Sequence, residues 1–392
     1  GHAQIRKEEL CIDCGECMRV CPENAIESTT LKPRDLTGYK QLVALPSPVL
    51  YSQFDESITP NDVLLGLLNI GFDFVYDVAL SNEKVLAAIS IFLDRNKDIR
   101  PFISNYCPAV VRLIIKNYPT LIDHVIPIEM PREIAAQRVR AEVVKRTGVK
   151  PEEVGIFTIS PCAALMVSIR NPVGVNQSTL NGAIAIRDIY KDLSGALKDV
   201  RDDWILQRSS GVGLSWVIGE GGVRGLPAKS SLTVTGVKEV IKILDDVEAG
   251  RMKDVDYLDC SICPEGCVGG PLVVKNKFFA VSRIRSLIEQ YGVRSRVNPR
   301  RVLEAYESKY LLKDLRFKPN TPYALDHDFH RALEKMNRIE ELVALFPGKS
   351  CGACGAPDCR ALAEDIAAGE AETTDCVFVR IKELEDELEK NR

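Results

Sequence analysis

Between residues 31 and 310 the chain alternates two kinds of apolar pattern. FDFVYDVA (72–79), VGIFTIS (154–160), GAIAI (182–186) and SLTVTG (231–236) are short runs rich in β-branched and aromatic residues, and they read as strands. NEKVLAAISIFLD (82–94), PAVVRLIIKNYP (108–119) and PREIAAQRVRAEVVKRTG (131–148) place apolar residues three and four apart and read as helices. Strands that alternate with helices predict an α/β domain with mostly parallel sheets. At the far end, Phe378, Ile381, Leu384 and Leu388 recur among charges in VFVRIKELEDELEKNR. That spacing predicts an amphipathic helix over 379–392, either a surface helix or the start of a coiled coil leading to an output domain.

Outside this pattern lie two cysteine-rich segments. CIDCGECMRVCP reads C-x2-C-x2-C-x3-C-P, the bacterial ferredoxin spacing, so Cys11, Cys14, Cys17 and Cys21 are candidate ligands of a [4Fe-4S] cluster. Residues 3–30 make only half a ferredoxin: a strand (AQIRKEEL), the loop, a short helix and a returning strand (AIES). The fourth cysteine of such a run ligates the other cluster of a pair, and no second run follows. Two solutions stay open: a homodimer whose protomers exchange Cys21, or recruitment of Cys260 within the chain. Near the C-terminal end, SCGACGAPDCRALAEDIAAGEAETTDC spaces Cys351, Cys354, Cys359 and Cys376 as C-x2-C-x4-C-x16-C, with a helix stopped at Gly369. Four thiolates suit a [4Fe-4S] cluster, or structural zinc. This segment, 345–378, resembles the small iron–sulfur domain attached to many anaerobic redox proteins.

Composition changes the picture at one point only. With 45% hydrophobic and 27% charged residues and a formal charge of −4, the chain is of ordinary globular type, and the charge gives no reason to expect nucleic acid. The basic stretch 283–301 reads as a solvated helical face beside a loop. No apolar run nears the roughly 20 residues of a membrane span, no secretory signal is evident, and Gly1-His2 reads as a tag remnant; a cytoplasmic location is expected. His124, His327 and His330 fall in no ligand spacing and read as structural or surface residues. Thirteen cysteines are the anomaly. In a reducing compartment clustered cysteines point to metal or redox chemistry, and thirteen is three sets of four plus one.

The middle set carries a family resemblance. NYCPAVVRLIIKNYPTLIDHV, then SPCAAL, then CPEGCVGGPL are similar, in order and separation, to the three signature loops of the [FeFe]-hydrogenase catalytic domain: T-S-C-C-P, M-P-C-x-x-K and E-x-M-x-C-x-x-x-C-x-x-G-G-G. The resemblance implies a two-lobed hydrogenase-type α/β domain over 31–310, a helical linker over 311–344, and three [4Fe-4S] clusters per chain. It implies that Cys107, Cys162, Cys263 and Cys267 hold a cubane, with Cys267 also bridging to a diiron subsite bearing CO and CN⁻. Gly269 and Gly270 would allow close approach to the inorganic core.

Departures from the family are as informative. Tyr106 stands at the proton-relay cysteine, Leu165 at the lysine that pairs with cyanide, and Ser160 and Ser261 at methionines. Asp259 replaces glutamate, and Pro271 and Leu272 break the glycine run. The family's proton-path acids fall near Ala88 and Ile89. These losses imply a slow or sensory hydrogenase (H2 ⇌ 2H⁺ + 2e⁻), resembling the sensory branch. The alternative is a hydrogenase-fold electron-transfer or scaffold protein with [4Fe-4S] clusters alone. Expected partners are a second copy of the chain, an electron-transfer protein, and a downstream signalling domain, kinase or phosphatase.

Overall fold

The computed structural model describes residues 8–200, 204–223, 226, 230–315, 317, 325–326 and 328–390, with side chains at 199 and 390 excepted. Gly1, His2 and His327 lie outside the described residues. The chain divides into two units, 1–320 and 321–392.

The first unit holds two all-parallel sheets. In one, the strands β1 (Gln41–Pro46), β2 (Phe74–Val75), β4 (Val154–Ser160) and β5 (Gly182–Ala185) lie in the order β2-β1-β4-β5. In the other, β3 (Phe102–Ile103), β6 (Ser231–Thr235) and β7 (Tyr257–Ser261) lie in the order β3-β7-β6. The expected mostly parallel α/β architecture is therefore present. Every residue of β4 is buried, as a parallel strand covered by helices on both faces requires. Val43 and Leu45 of β1 turn to one apolar layer with the helix Pro131–Thr147, and Ala44 turns to the other. The alternation of period two thus feeds two cores at once.

Strands β1, β3 and β7 escape the sequence pattern. β3 is two residues long, and β7 (YLDCS) carries Asp259 and Cys260 inside the sheet, where polar residues hide an apolar signature. The expected ferredoxin hairpin is corrected: Glu8–Leu10 is a 3-10 turn, residues 3–7 lie outside the described residues, and no strand forms over 25–28. An isolated hairpin is marginal in water. The chain instead reaches the larger sheet, where Leu31 donates its N–H to the Ala183 carbonyl at 2.9 Å and bridges Ile184 in parallel.

In the second unit the helix Phe329–Leu345, which sequence placed in a linker, packs Ile339, Leu342 and Phe346 against Leu362 and Ala363 of the helix Cys359–Ala367. The C-terminal amphipathic helix spans Val377–Lys390. Among the described residues no helix is long and apolar enough to cross a membrane.

Candidate metal centre

Three loops leave the carboxyl ends of parallel strands and converge. Cys107 follows β3, Cys162 follows β4, and Cys263 and Cys267 follow β7, so the two sheets supply one site between them. This is the usual place for a site in a parallel α/β fold. Cys107 and Cys162 are each the N-cap of a helix, Pro108–Asn117 and Ala163–Arg170. Neither side chain makes a cap hydrogen bond, but the nearby backbone N–H groups of Ile262, Val110 and Ala109 act to lower the Cys107 thiol, and those of Leu165 and Ala164 act to lower that of Cys162. That geometry and the helix dipole favour the thiolate.

Burial opposes it. Desolvation pushes the Cys162 thiol up to about 12, with proximity to Cys107 adding to the rise. It also raises Cys263, whose neighbours are Cys162 and Cys107, and raises Cys267 well above its ordinary value, with Cys263, Cys107 and Cys162 around it. All four line one cavity of about 70 Å³. Among the described residues no three His, Cys, Asp or Glu side chains converge on a point for a single ion. Four soft, half-buried donors spaced around a void fit a polynuclear iron–sulfur core.

The glycines are also needed by the protein's own backbone. Gly269 and Gly270 have ordinary φ, yet a Cβ on Gly269 would lie 1.9 Å from the Pro264 carbonyl oxygen and one on Gly270 2.4 Å from that of Pro161. They let the third loop close on itself and on the second loop. The turn is made by Glu265 (φ 64°) and Gly266 (φ 85°), which bring Cys263 and Cys267 to the same cavity.

Around the thiols the departures take definite places. Tyr106 is stacked on Trp216, with ring centroids 5.3 Å apart and planes at 19°. Burial, and then the nearby Cys267, raise its hydroxyl well above the ordinary tyrosine value. Leu165 lines the cavity with its apolar side chain. Ser160 accepts the Cys162 N–H at 3.0 Å, and burial lifts Asp259 to about 6. Ala88 and Ile89 are buried in an apolar layer with Phe102 and Trp216. On the same helix Glu83 is fully engaged by the Ser210 and Arg296 N–H groups (2.6 Å each) and the Ser295 hydroxyl (2.8 Å).

The N-terminal loop lies against this centre. Arg112 Nε meets Asp13 Oδ2 at 3.3 Å, and Lys116 Nζ donates to the carbonyls of Cys11 (2.9 Å) and Glu9, so the helix begun by Cys107 holds the loop. Cys14 packs in the same apolar layer as Cys107 and Cys162. Gly15, at φ 74°, sits where a Cβ would be 2.7 Å from Pro271 Cγ. Burial raises the Cys14 thiol, with Cys11 and Cys17 adding to the rise, and it raises that of Cys11, with Asp13 and Cys17 adding. Cys21 ends the helix Glu16–Val20, its Sγ accepting the Ala25 N–H at 3.4 Å near the surface. Cys260 is buried in β7, its electrostatic neighbours being Asp259 and Cys107.

In the second unit Cys351, Cys354, Cys359 and Cys376 line one cavity of about 20 Å³. Ser350, Gly352 and Gly355 take positive φ around it, and Asp358 Oδ1 caps the helix of Cys359 by accepting the Ala361 N–H at 2.8 Å. Of the histidines, His124 Nδ1 pairs with the Pro101 carbonyl oxygen at 2.7 Å and His330 packs edge-on against Phe329. Two site residues went unnoticed in the sequence, Arg19 and Arg132. Neither stands in a recognisable spacing with a cysteine.

Residues 40–189 match the family model described as the iron-only hydrogenase large subunit, C-terminal domain; residues 346–378 match an Fe-S cluster model, and residues 5–27 the 4Fe-4S binding domain. Solved structures of [FeFe]-hydrogenase HydA1 from Chlamydomonas reinhardtii share the fold. One variant superposes with a TM-score of 0.59 at 16% identity, covering 74% of this chain and 97% of that one. An apo variant gives 0.58 at 16% identity, with the same coverage. Over 38 residues the chain is 50% identical to the B component of the ion-translocating oxidoreductase complex of Rhodobacter capsulatus, a match that takes in 10% of this chain and 20% of that protein's length. The chain is an iron–sulfur protein of hydrogenase-like fold, led by a ferredoxin motif.

Proposed function

We propose that this chain is a slow or sensory hydrogenase, in which Cys107, Cys162, Cys263 and Cys267 hold a [4Fe-4S] cubane and Cys267 also carries a diiron subsite with CO and CN⁻ ligands. Bound there, that centre would supply the interconversion of H2 with protons and electrons. The observation that carries the reading is Tyr106. A side chain at the relay position, half-buried, stacked on Trp216 and with its hydroxyl raised by desolvation, neither gives nor takes a proton readily at neutral pH. Behind it, Ala88 and Ile89 offer no titratable group and Glu83 is locked by backbone donors. Efficient proton delivery is thereby blocked while the cavity beside the thiols is kept. Slow turnover suits detection of H2 or redox state better than its production.

The deciding experiment is an infrared spectrum, in the metal–carbonyl region, of protein purified anaerobically after maturation with the diiron-assembly enzymes. Sharp CO and CN⁻ bands support the reading. A blank spectrum with about twelve irons per chain favours the second reading, an electron-transfer or scaffold protein with [4Fe-4S] clusters alone. Leu165 favours that alternative, since its apolar side chain stands in the cavity where a cation would pair with cyanide.

The same proposal includes a homodimer. Cys17 and Val20 are exposed beside Cys21, whose Sγ accepts the Ala25 N–H near the surface. Exchange of Cys21 between protomers would give each cluster its fourth thiolate. Three [4Fe-4S] clusters per chain, an electron-transfer partner and a signalling output complete the reading.

A further inference from the structure

The cavity beside the four thiols is walled largely by apolar groups, among them Pro48, Val78 and Leu165. Arg132 is the sole Lys, Arg, Asp or Glu among its lining residues. It enters from the first turn of the helix Pro131–Thr147. Its Nε is buried without a hydrogen-bond partner, and among the described residues no hydrogen bond or ion pair takes up the other guanidinium nitrogens. The next residue, Glu133, shares its field but spends its oxygens on Ser178 Oγ (2.7 Å) and the Thr179 N–H (2.7 Å). Arg132 also makes itself felt at Cys162 and Tyr106, on two other walls of the cavity.

Arg132 as a whole is half-buried, but its Nε–H is sealed from solvent, and a buried donor is costly unless something accepts from it. We infer that Arg132 anchors an anion-binding subsite in this cavity, taking a small linear or diatomic anion, free or carried as a ligand of a metal group held by the thiols. Leu165 leaves the second loop without a cation there, so Arg132 supplies the positive charge from a different element. Only the ligand-borne source rests on the diiron reading.

The test has two arms on the full chain, comparing wild type with R132M, R132Q and R132K. In the first arm the protein holds its [4Fe-4S] clusters alone, and thiocyanate is titrated in while its infrared stretch is followed. A saturable bound band, weakened at least tenfold in R132M and R132Q and retained in R132K, supports a free-anion site. In the second arm the protein is matured with the diiron-assembly enzymes. Cyanide bands that move in R132M and R132Q and return toward wild type in R132K support the ligand-borne source. Equal cubane absorbance across the variants shows that the fold is kept. No bound thiocyanate in wild type, or binding equally tight in R132M and R132Q, together with unmoved cyanide bands, overturns the inference. If matured wild type gives no carbonyl or cyanide bands, the diiron reading fails and thiocyanate alone decides for Arg132.

Discussion

Arg19 Nη2 donates a hydrogen bond to Cys263 Sγ at 3.5 Å, joining the short helix of the ferredoxin motif to the third loop of the central site. Glu16 Oε2 holds the same guanidinium at 2.7 Å. Arg19 brings positive charge to a candidate cluster thiol from another module, and it counts among the influences that lower the Cys263 thiol against burial. Reduction adds negative charge to a cubane, so a donor on its sulfur favours the reduced form. Arg19→Met is expected to lower the midpoint potential of the central cubane by roughly 50 mV, close to a tenfold change in a one-electron equilibrium. An EPR-monitored redox titration reads this directly, and Arg19→Lys is expected to fall between. Potentials that coincide for all three proteins would remove the tuning role.

Tyr106→Cys places a thiol beside Cys267 where a raised phenol now stands. A positioned acid or base contributes about 10²–10⁴-fold to rate. The apolar path behind, through Ala88 and Ile89, caps the gain, and an increase of about tenfold in H2 oxidation by the matured protein is expected. Loss of the stack on Trp216 is expected to cost about 1 kcal/mol of stability. Unchanged turnover in protein whose carbonyl bands are intact would place the slow step elsewhere.

Cys21→Ser tests the shared N-terminal cluster. If protomers exchange this thiolate, the variant loses that cluster's EPR signal and shifts toward monomer by light scattering. A variant that stays dimeric with a complete N-terminal cluster would rule out the exchange.

Cys376 is the buried member of the C-terminal set, and Cys351 is an exposed one. Replacement of either by Ser is expected to lower iron content by about four per chain. Cys376→Ser should also reduce the thermal midpoint of the second unit more, because its side chain sits in the apolar layer of Leu342 and Leu362. Zinc rather than iron at this site in wild-type protein would assign it to structural metal.

Glu133 ties pH to stability. Burial alone would raise its carboxyl, but Arg132 and the donors Ser178 and Thr179 hold it below the usual glutamate value. A depressed carboxyl contributes stability that is present above its unfolded pKa, near 4.3, and is lost as pH falls through the folded value. Glu133→Gln is expected to cost about 1–3 kcal/mol at neutral pH. It should also flatten the acid limb of the thermal midpoint, measured from pH 7 downward. Parallel limbs for wild type and variant would show that the carboxylate carries no such linkage.

The sequence by itself marked out which thiols are candidate ligands and determined much of the α/β pattern, because both are local. A C-x2-C spacing is set by a turn, and VGIFTIS is a buried parallel strand wherever it is placed. It also exposed the losses at Tyr106 and Leu165, since each lies within a cysteine motif. The tertiary structure decided what depends on distant segments meeting. β7 is held in its sheet by pairing on both sides, with two polar residues inside it. Gly269 and Gly270 are required by the carbonyls of Pro264 and Pro161, one of them about a hundred residues away in the chain. The two cations that serve the site, Arg19 and Arg132, come from a separate module and a separate helix, and charge acts through space with no trace in local spacing. Such contacts leave no periodicity to read, and only the assembled fold brings them to the thiols.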